Sequence, residues 1–257
     1  MTPIRILSDL HLAHPGCRIE SIDDLRPLFE GVGEQIIFNG DTIEQRHVGF
    51  VELGSSWLEK VKSLGVEYGL ELTFIRGNHD PFISDLDYVS LGKRDQVFVT
   101  HGDVLYPNIS PWSPRVEKMR DEWERLWDQL EPEVATDLEV RCDYTDQARR
   151  LGFTYHEDFK RGRFALLRTL IRLGWPPRRP YKILETWLTA HRVAADFVET
   201  YRPTTETLIF GHTHRAGDWQ VGGRRVINTG GYLSAAGARY IDFDPETDAL
   251  SVHPIDF

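Results

Sequence analysis

Short apolar runs rich in Val, Ile and Phe punctuate the N-terminal part of the chain at Ile4–Ser8, Gln35–Asn39, Leu72–Arg76 and Gln96–Thr100. Each has the length and composition of a buried strand. Between them, Ile22–Gly31 and Val48–Leu64 carry apolar residues at about helical spacing. Strands alternating with helices predict βαβ units and a mainly parallel sheet. Towards the C-terminus, Thr207–Phe210, Arg225–Asn228, Arg239–Phe243 and Leu250–His253 are short strands separated by Gly, Asp and Pro. That spacing suits antiparallel pairing. The two halves together predict an α/β fold of two sheets packed face to face with helices outside.

From about Pro107 to Pro203 the alternation stops. Arg115–Leu130 sets Val116, Met119, Trp123, Leu126, Trp127 and Leu130 on one helical stripe. His156–Leu173 and Tyr181–Tyr201 are further predicted helices, with Pro177 and Pro180 as boundaries. The 257 residues suit one domain, 1–257, carrying a helical insertion over approximately 107–203.

Composition adds limits. Hydrophobic residues at 40% and aromatics at 11% supply a sizeable core, which sets disordered and fibrous classes aside. The chain shows no basic stretch leading into a long apolar run, and no apolar window long enough for a transmembrane helix. Cys17 and Cys142 do not make a disulfide framework, so a reduced cytoplasmic protein is expected. A net charge of −10 argues against a broad duplex-binding surface and agrees with cation binding. The charge is unevenly spread. Arg115–Glu139 holds four Lys/Arg and nine Asp/Glu, whereas Arg141–Lys182 holds eleven Lys/Arg and four Asp/Glu.

The candidate chemistry lies in five blocks, each at the C-terminal end of a predicted strand, where open α/β sheets place their ligand sites. In Ser8-Asp9-Leu10-His11, an extended segment would turn Asp9 and His11 to one side, offering a carboxylate and an imidazole to a single metal. In Asn39-Gly40-Asp41, the two oxygens of Asp41 can bridge two cations about 3.5–4 Å apart. In Gly77-Asn78-His79-Asp80, the Asn78 amide oxygen can coordinate without adding charge, and His79 can sit beyond the metals as a proton donor. The fourth block is Thr100-His101-Gly102-Asp103. In the fifth, Gly211-His212-Thr213-His214, two histidines can face different metals across a tight loop. Asp80 and Asp103 are expected to fix loop geometry, and Asn228 to end a strand. His14 and His47 lie near ligand blocks, while His156, His191 and His253 suit surface or packing positions.

In this order, Asp-x-His, Gly-Asp, Gly-Asn-His-Asp, His-Gly and Gly-His-x-His, the blocks resemble the calcineurin-like metallophosphoesterase family, on both sides of the insertion. The resemblance implies a four-layer αββα sandwich of two mixed sheets. It assigns Asp9, His11 and His214 to one metal and Asn78, His101 and His212 to the other, with Asp41 bridging. Two divalent cations are implied, manganese in the first place, with iron or zinc accepted by the same donors. The implied reaction is phosphoester hydrolysis by a hydroxide held between the metals, with His79 stabilising or protonating the leaving oxygen. Relatives with Gly-Asp-x-x-Asp orient that histidine with the second acid. Glu44 occupies the position here and needs its longer side chain to reach. Gln45 stands where protein Ser/Thr phosphatases carry arginine, which weighs against that subgroup.

Substrate choice is expected to reside in the insertion. Lys160, Arg161, Arg163 and Arg168 are interleaved with Phe159, Phe164, Leu166 and Leu167. Such a stretch can project cations towards substrate phosphates, touch an anionic membrane surface peripherally, or pack on the core with a solvated basic face. Among bacterial relatives the chain looks most like the UDP-2,3-diacylglucosamine pyrophosphatases. These share Asp-Leu-His-Leu, present as Asp9–Leu12, and a helical insertion between the His-Gly and Gly-His-Thr-His blocks. They commonly carry arginine where this chain has His79. The expected substrate is a small-molecule phosphodiester or pyrophosphate, such as a nucleotide-sugar or lipid-linked compound. A DNA exonuclease of the same superfamily is the alternative, disfavoured by the acidity of the chain and its lack of an extended basic C-terminal region. A non-catalytic metal-dependent binding scaffold is disfavoured by His79 standing beside a full ligand set. The pattern leaves the oligomeric state open.

Overall fold

The computed structural model describes residues 3–46, 48–113, 116–129, 136–153, 178–233 and 237–255. In the first sheet β1 (Ile4–Leu7), β2 (Gln35–Asn39) and β3 (Glu71–Ile75) run parallel. β9 (Ala238–Asp244) pairs antiparallel with β1, and β10 (Ala249–Ile255) pairs antiparallel with β9. The second sheet has the order β4 (Tyr88–Leu91), β5 (Val97–Thr100), β6 (Thr207–Phe210), β8 (Arg224–Asn228), β7 (Gly217–Val221). Within it β5, β6 and β8 are parallel, and the edges β4 and β7 are antiparallel.

Side chains alternate across each strand. Ile6, Ile37 and Ile75 pack with Val99, Ile209 and Ile227 in the layer between the sheets. Their neighbours Leu7, Ile36 and Phe38 pack with Trp57, Val61 and Leu64 of α2 (Val51–Tyr68). On the other side, Phe98, Leu208, Phe210 and Val226 meet Ala190, Ala194 and Val198 of α5 (Arg178–Tyr201). Strands covered on both faces explain why the sequence shows continuous apolar runs rather than alternation. The result is a four-layer αββα sandwich with a helical insertion.

Several elements differ from the sequence reading. The C-terminal strands are not uniformly antiparallel, because β6 lies parallel to both β5 and β8. β7 takes the outer edge and returns through Gly222-Gly223, both with positive φ, so β8 re-enters beside β6 in the same direction. The helix expected at Ile22–Gly31 shrinks to α1 (Arg26–Phe29), which has Pro27 in its first turn and an extended Glu30 at its end. α2 continues past Leu64 to Tyr68, where Gly69 adopts a left-handed conformation and the amides of Gly69 and Leu70 return to Val66 and Gly65. α3 (Val116–Asp128) buries Met119 and Trp123 of the expected stripe against Tyr144 and Ala148.

α4 (Leu138–Phe153) has no counterpart in the apolar pattern. Its buried residues include Arg141, Thr145 and Arg149 beside Leu138, Cys142, Tyr144 and Ala148, which breaks the apolar period. Part of the positive excess of the insertion is therefore directed inwards. α5 begins ahead of its expected start and carries Pro180 in its first turn, where no amide donor is required. The expected helix at His156–Leu173, with Lys160, Arg161, Arg163 and Arg168, lies outside the described residues, as does His47. No helix among the described residues is long and apolar enough to cross a membrane.

Candidate metal centre

The five motif blocks leave the C-terminal ends of β1, β2, β3, β5 and β6. The backbone does not remain extended there. Asp9, His11, Asp41, His212 and His214 have φ of 54°, 50°, 50°, 64° and 55°, in the left-handed region that side chains disfavour. Asp9 and His11 thus do not share one face of an extended strand. β1 stops at Leu7, and a contorted turn brings both inwards while the Asp9 and His11 amides donate to the Gly40 and Asp41 carbonyls at 3.1 and 2.9 Å. Two glycines permit the close approach of the loops. A β-carbon at Gly77 would collide with the Asp41 carboxylate, and one at Gly211 with the Asp9 carboxylate and the Ser8 hydroxyl.

Three groups of donors result among the described residues, of which two share Asp41 and a third joins His11 with Glu44 and His79. Asp9, His11, Asp41 and His214 each bring a ligand atom within 4.8 Å of the others, as do Asp41, His101 and His212, and Asp41 is common to both. His11 Nε2 lies 3.0 Å from His214 Nε2 and 3.6 Å from Asp41 Oδ2, and His214 Nε2 lies 3.2 Å from Asp9 Oδ1. In the second group His101 Nε2 stands 3.4 Å from both Asp41 Oδ2 and Asn78 Oδ1. Apart from the part-exposed His214, the residues of these two groups are buried.

The donor chemistry fits a pair of divalent cations. One proton at most can lie between the His11 and His214 nitrogens, while two carboxylates press on the same point. A cation there satisfies all four donors together, and an oxygen–nitrogen set without thiolate suits Mn, Fe or Zn.

The surroundings set which nitrogen is offered. His101 Nδ1 donates to the Asn39 carbonyl at 3.2 Å, leaving Nε2 for the cluster. His212 Nε2 donates to the Ile109 carbonyl at 2.8 Å, which leaves Nδ1 as its ligand atom. Ile109 is buried, β-branched and at φ 60°, an unusual conformation that aims this carbonyl at the ring. Trp112 packs on the same imidazole, with ring centroids 5.0 Å apart.

His79 sits at the edge of the first group. Its amide donates to Asp41 Oδ1 at 2.7 Å, and its Nδ1 lies 2.8 Å from Glu44 Oε2. The longer side chain of Glu44 does span the gap. Burial disfavours the imidazolium of His79, but the Glu44 and Asp41 carboxylates outweigh it and hold the pKa above its ordinary value. His79 Nε2 is 3.4 Å from Arg46 Nη1.

Other polar residues build the loops. The Asp80 carboxylate accepts the amides of Asp41, Thr42, Ile43 and Gly77 at 3.0, 2.6, 3.2 and 2.9 Å, tying the second and third blocks together. Asn228 does more than end β8. Its Nδ2 donates to the Gly211 carbonyl and to Thr213 Oγ1 at 2.8 and 3.0 Å, holding the fifth block. Asp103 lies outside the donor groups and pairs with Arg149 instead. His14 reaches the margin, its ring centroid 6.2 Å from His11, whereas His191 and His253 stack on Trp219 and Tyr240.

Sequence reasoning missed Arg46 and Ile109. Arg46 had a signal, since it directly follows Gln45, the position at which the family resemblance places the arginine of protein Ser/Thr phosphatases. A backbone carbonyl such as that of Ile109 leaves no sequence signature.

A family model for calcineurin-like phosphoesterases matches residues 2–216. None of the curated proteins matches the chain. Among solved structures, the chain is similar to a dimetal phosphatase from Danio rerio, at 12% identity over 99% of each chain with a TM-score of 0.47. It is similar to a Vps29 single mutant from Entamoeba histolytica at 12% identity, covering 100% of this chain and 99% of that one, with a TM-score of 0.44. An archaeal phosphodiesterase matches at 17% identity over 99% of this chain and 100% of its own, with a TM-score of 0.37. The motif blocks and the extent of the family match lead to one conclusion: the chain belongs to the calcineurin-like phosphoesterase family.

Proposed function

We propose that this protein is a dinuclear-metal phosphoester hydrolase acting on a small-molecule phosphodiester or pyrophosphate. The observation that carries the reading is the pair of donor groups sharing Asp41. Divalent cations in such a pair supply an acidified water and neutralise phosphoryl oxygens. The groups assigned to the two sites are Asp9, His11 and His214, and Asn78, His101 and His212.

His79 is the general acid in this reading. With Nδ1 turned to Glu44 and its pKa raised, the imidazole holds a proton to give to a leaving oxygen from Nε2. Arg46, beside that nitrogen, is placed to steady a negatively charged substrate oxygen.

The Asp9–Leu12 run and the helical insertion support a kinship with the UDP-2,3-diacylglucosamine pyrophosphatases. His79 in place of their arginine argues for a different substrate. Exposed Tyr181, Leu184 and Leu188 on α5 support an apolar or lipid-linked portion in that substrate. They neighbour Trp187, whose indole N–H donates at 2.9 Å to the Thr213 carbonyl in the fifth block. Lys160, Arg161, Arg163 and Arg168 are proposed to meet its phosphates.

The test is a hydrolysis screen of purified protein supplied with Mn(II), Fe(II) or Zn(II), against phosphomonoesters, phosphodiesters and pyrophosphates with and without acyl chains. The reading expects metal-dependent cleavage of a diester or pyrophosphate. Metal uptake without turnover of any class would favour a binding scaffold.

A further inference from the structure

α4 is tied to the sandwich by buried charges rather than by an apolar stripe. Arg149, fully buried, donates through Nε and Nη2 to the two oxygens of Asp103 at 2.6 and 2.8 Å, and through Nη1 to Asp87 Oδ1 at 2.6 Å. Asp87 also accepts from Arg76 Nε at 2.9 Å, and Arg76 Nη1 pairs with Asp146 of α4 at 3.0 Å. Two guanidinium groups and three carboxylates thus bind the insertion to the segments around β3, β4 and β5. A bidentate fork of this kind fixes direction as well as distance.

The attachment points are not scattered. Asp103 is two residues beyond His101, and Arg76 is two residues before Asn78. Ile109, near the start of the insertion, gives its carbonyl to His212 Nε2. Asn78, His101 and His212 therefore each lie at or within two residues of a contact with the insertion, whereas Asp41, shared by both groups, does not among the described residues. The first group is held differently. Asp9 accepts the His212 amide at 3.0 Å and the Ser8 hydroxyl, and the His11 amide donates to the Asp41 carbonyl. These contacts come from loops of the sandwich itself. α5 reaches the fifth block as well: the Trp187 indole donates to the Thr213 carbonyl, and the Trp187 carbonyl accepts from Arg215 beside His214, an exposed contact unlike the buried fork of α4.

We infer that Arg149 is a positioning residue for the second cation site, so that α4 completes one half of the dinuclear centre while the other half does not depend on it. The inference rests on the dinuclear reading above. Its consequence is asymmetric: loosening α4 from Asp103 weakens the cation held by Asn78, His101 and His212 and spares the one held by Asp9, His11 and His214.

The experiment is a calorimetric titration of the full metal-free chain with Mn(II), with electron paramagnetic resonance of the loaded protein and circular dichroism to verify folding. The variants are Arg149→Met, Arg149→Lys and the double variant Arg149→Met with Asp103→Asn, which removes both charges of that pair. In the variants that fold, one Mn(II) is expected to bind with wild-type affinity and the second at least tenfold more weakly. The resonance signal is expected to change from exchange-coupled to mononuclear, with Arg149→Lys least affected because it keeps the charge without the fork. Two Mn(II) bound as in wild type, or an equal loss at both sites, overturns the inference. Failure of all three variants to fold overturns it as well, because Arg149 would then serve the fold and not one site. Wild-type protein that takes up no Mn(II) pair removes the dinuclear reading itself, a result distinct from unaltered variants of a protein that does.

Discussion

Glu44 Oε2 stands 2.8 Å from His79 Nδ1, and the other oxygen of Glu44 accepts the Arg46 amide at 2.8 Å. The carboxylate is fully buried and so does not turn to solvent, and its Oε2 also lies 3.9 Å from His11 Nδ1. It fixes the His79 imidazole with Nε2 outward. Replacing Glu44 by Gln keeps the shape and removes the charge that raises the His79 pKa. Turnover is expected to fall about tenfold, and His79→Ala to lose at least that much, a general acid contributing about 10²–10⁴-fold. Metal content should not change in either variant. Steady-state kinetics beside elemental analysis checks this, and an unaltered kcat for His79→Ala would end the catalytic role.

Asp41 is the residue common to the first and second donor groups. An amide in its place offers one oxygen and no charge. Asp41→Asn is expected to bind less than one equivalent of metal and to lose hydrolysis of an aryl phosphodiester. Full metal loading with wild-type turnover would refute the bridging assignment.

Asp80 accepts four backbone amides and contributes nothing to the donor groups. Asp80→Ala leaves those buried donors without a partner. The expected loss of stability is about 3 kcal/mol or more, since each buried unsatisfied group costs about 1–3 kcal/mol. Urea unfolding of the metal-free protein measures it, and a loss below about 1 kcal/mol would show that water or a rearranged loop takes over.

Gly211 lies against Asp9, with no room for a side chain. Gly211→Ala forces the fifth block away from the first. Overpacking of this kind costs about 1–3 kcal/mol. The variant is expected to fold and to bind metal more weakly, with the site of Asp9, His11 and His214 affected first. Wild-type Mn(II) affinity would mean that the loops yield without disturbing the carboxylate.

Cations that bind only the folded chain stabilise it by mass action. At a free concentration about a hundred times Kd the gain is about 2.7 kcal/mol. For a chain of this size that corresponds to about 5–10 °C in Tm. Chelation should lower the melting temperature by that amount, and adding Mn(II) back should restore it. A Tm indifferent to chelator would argue against a metal centre.

The sequence by itself marked the candidate donor residues and the strands that carry them. Asp9, His11, Asp41, Asn78, His101, His212 and His214 sit in short motifs directly after apolar runs, and both the motif and the run are local properties of the chain. β2 and β6 matched their expected limits for the same reason, because strands buried on both faces announce themselves as unbroken apolar segments. Tertiary structure decided what depends on partners distant along the chain. The left-handed backbone at Asp9 and His11 exists because neighbouring loops hold it. β4 and β7, half-buried edges, gave too little apolar signal to be seen. α4 was invisible because its inner face carries Arg141 and Arg149, which read as solvent-facing until Val104, Asp87 and Asp103 are brought against them. Apolar periodicity records burial in hydrocarbon; burial of charge by pairing has no period, and only the folded chain reveals it.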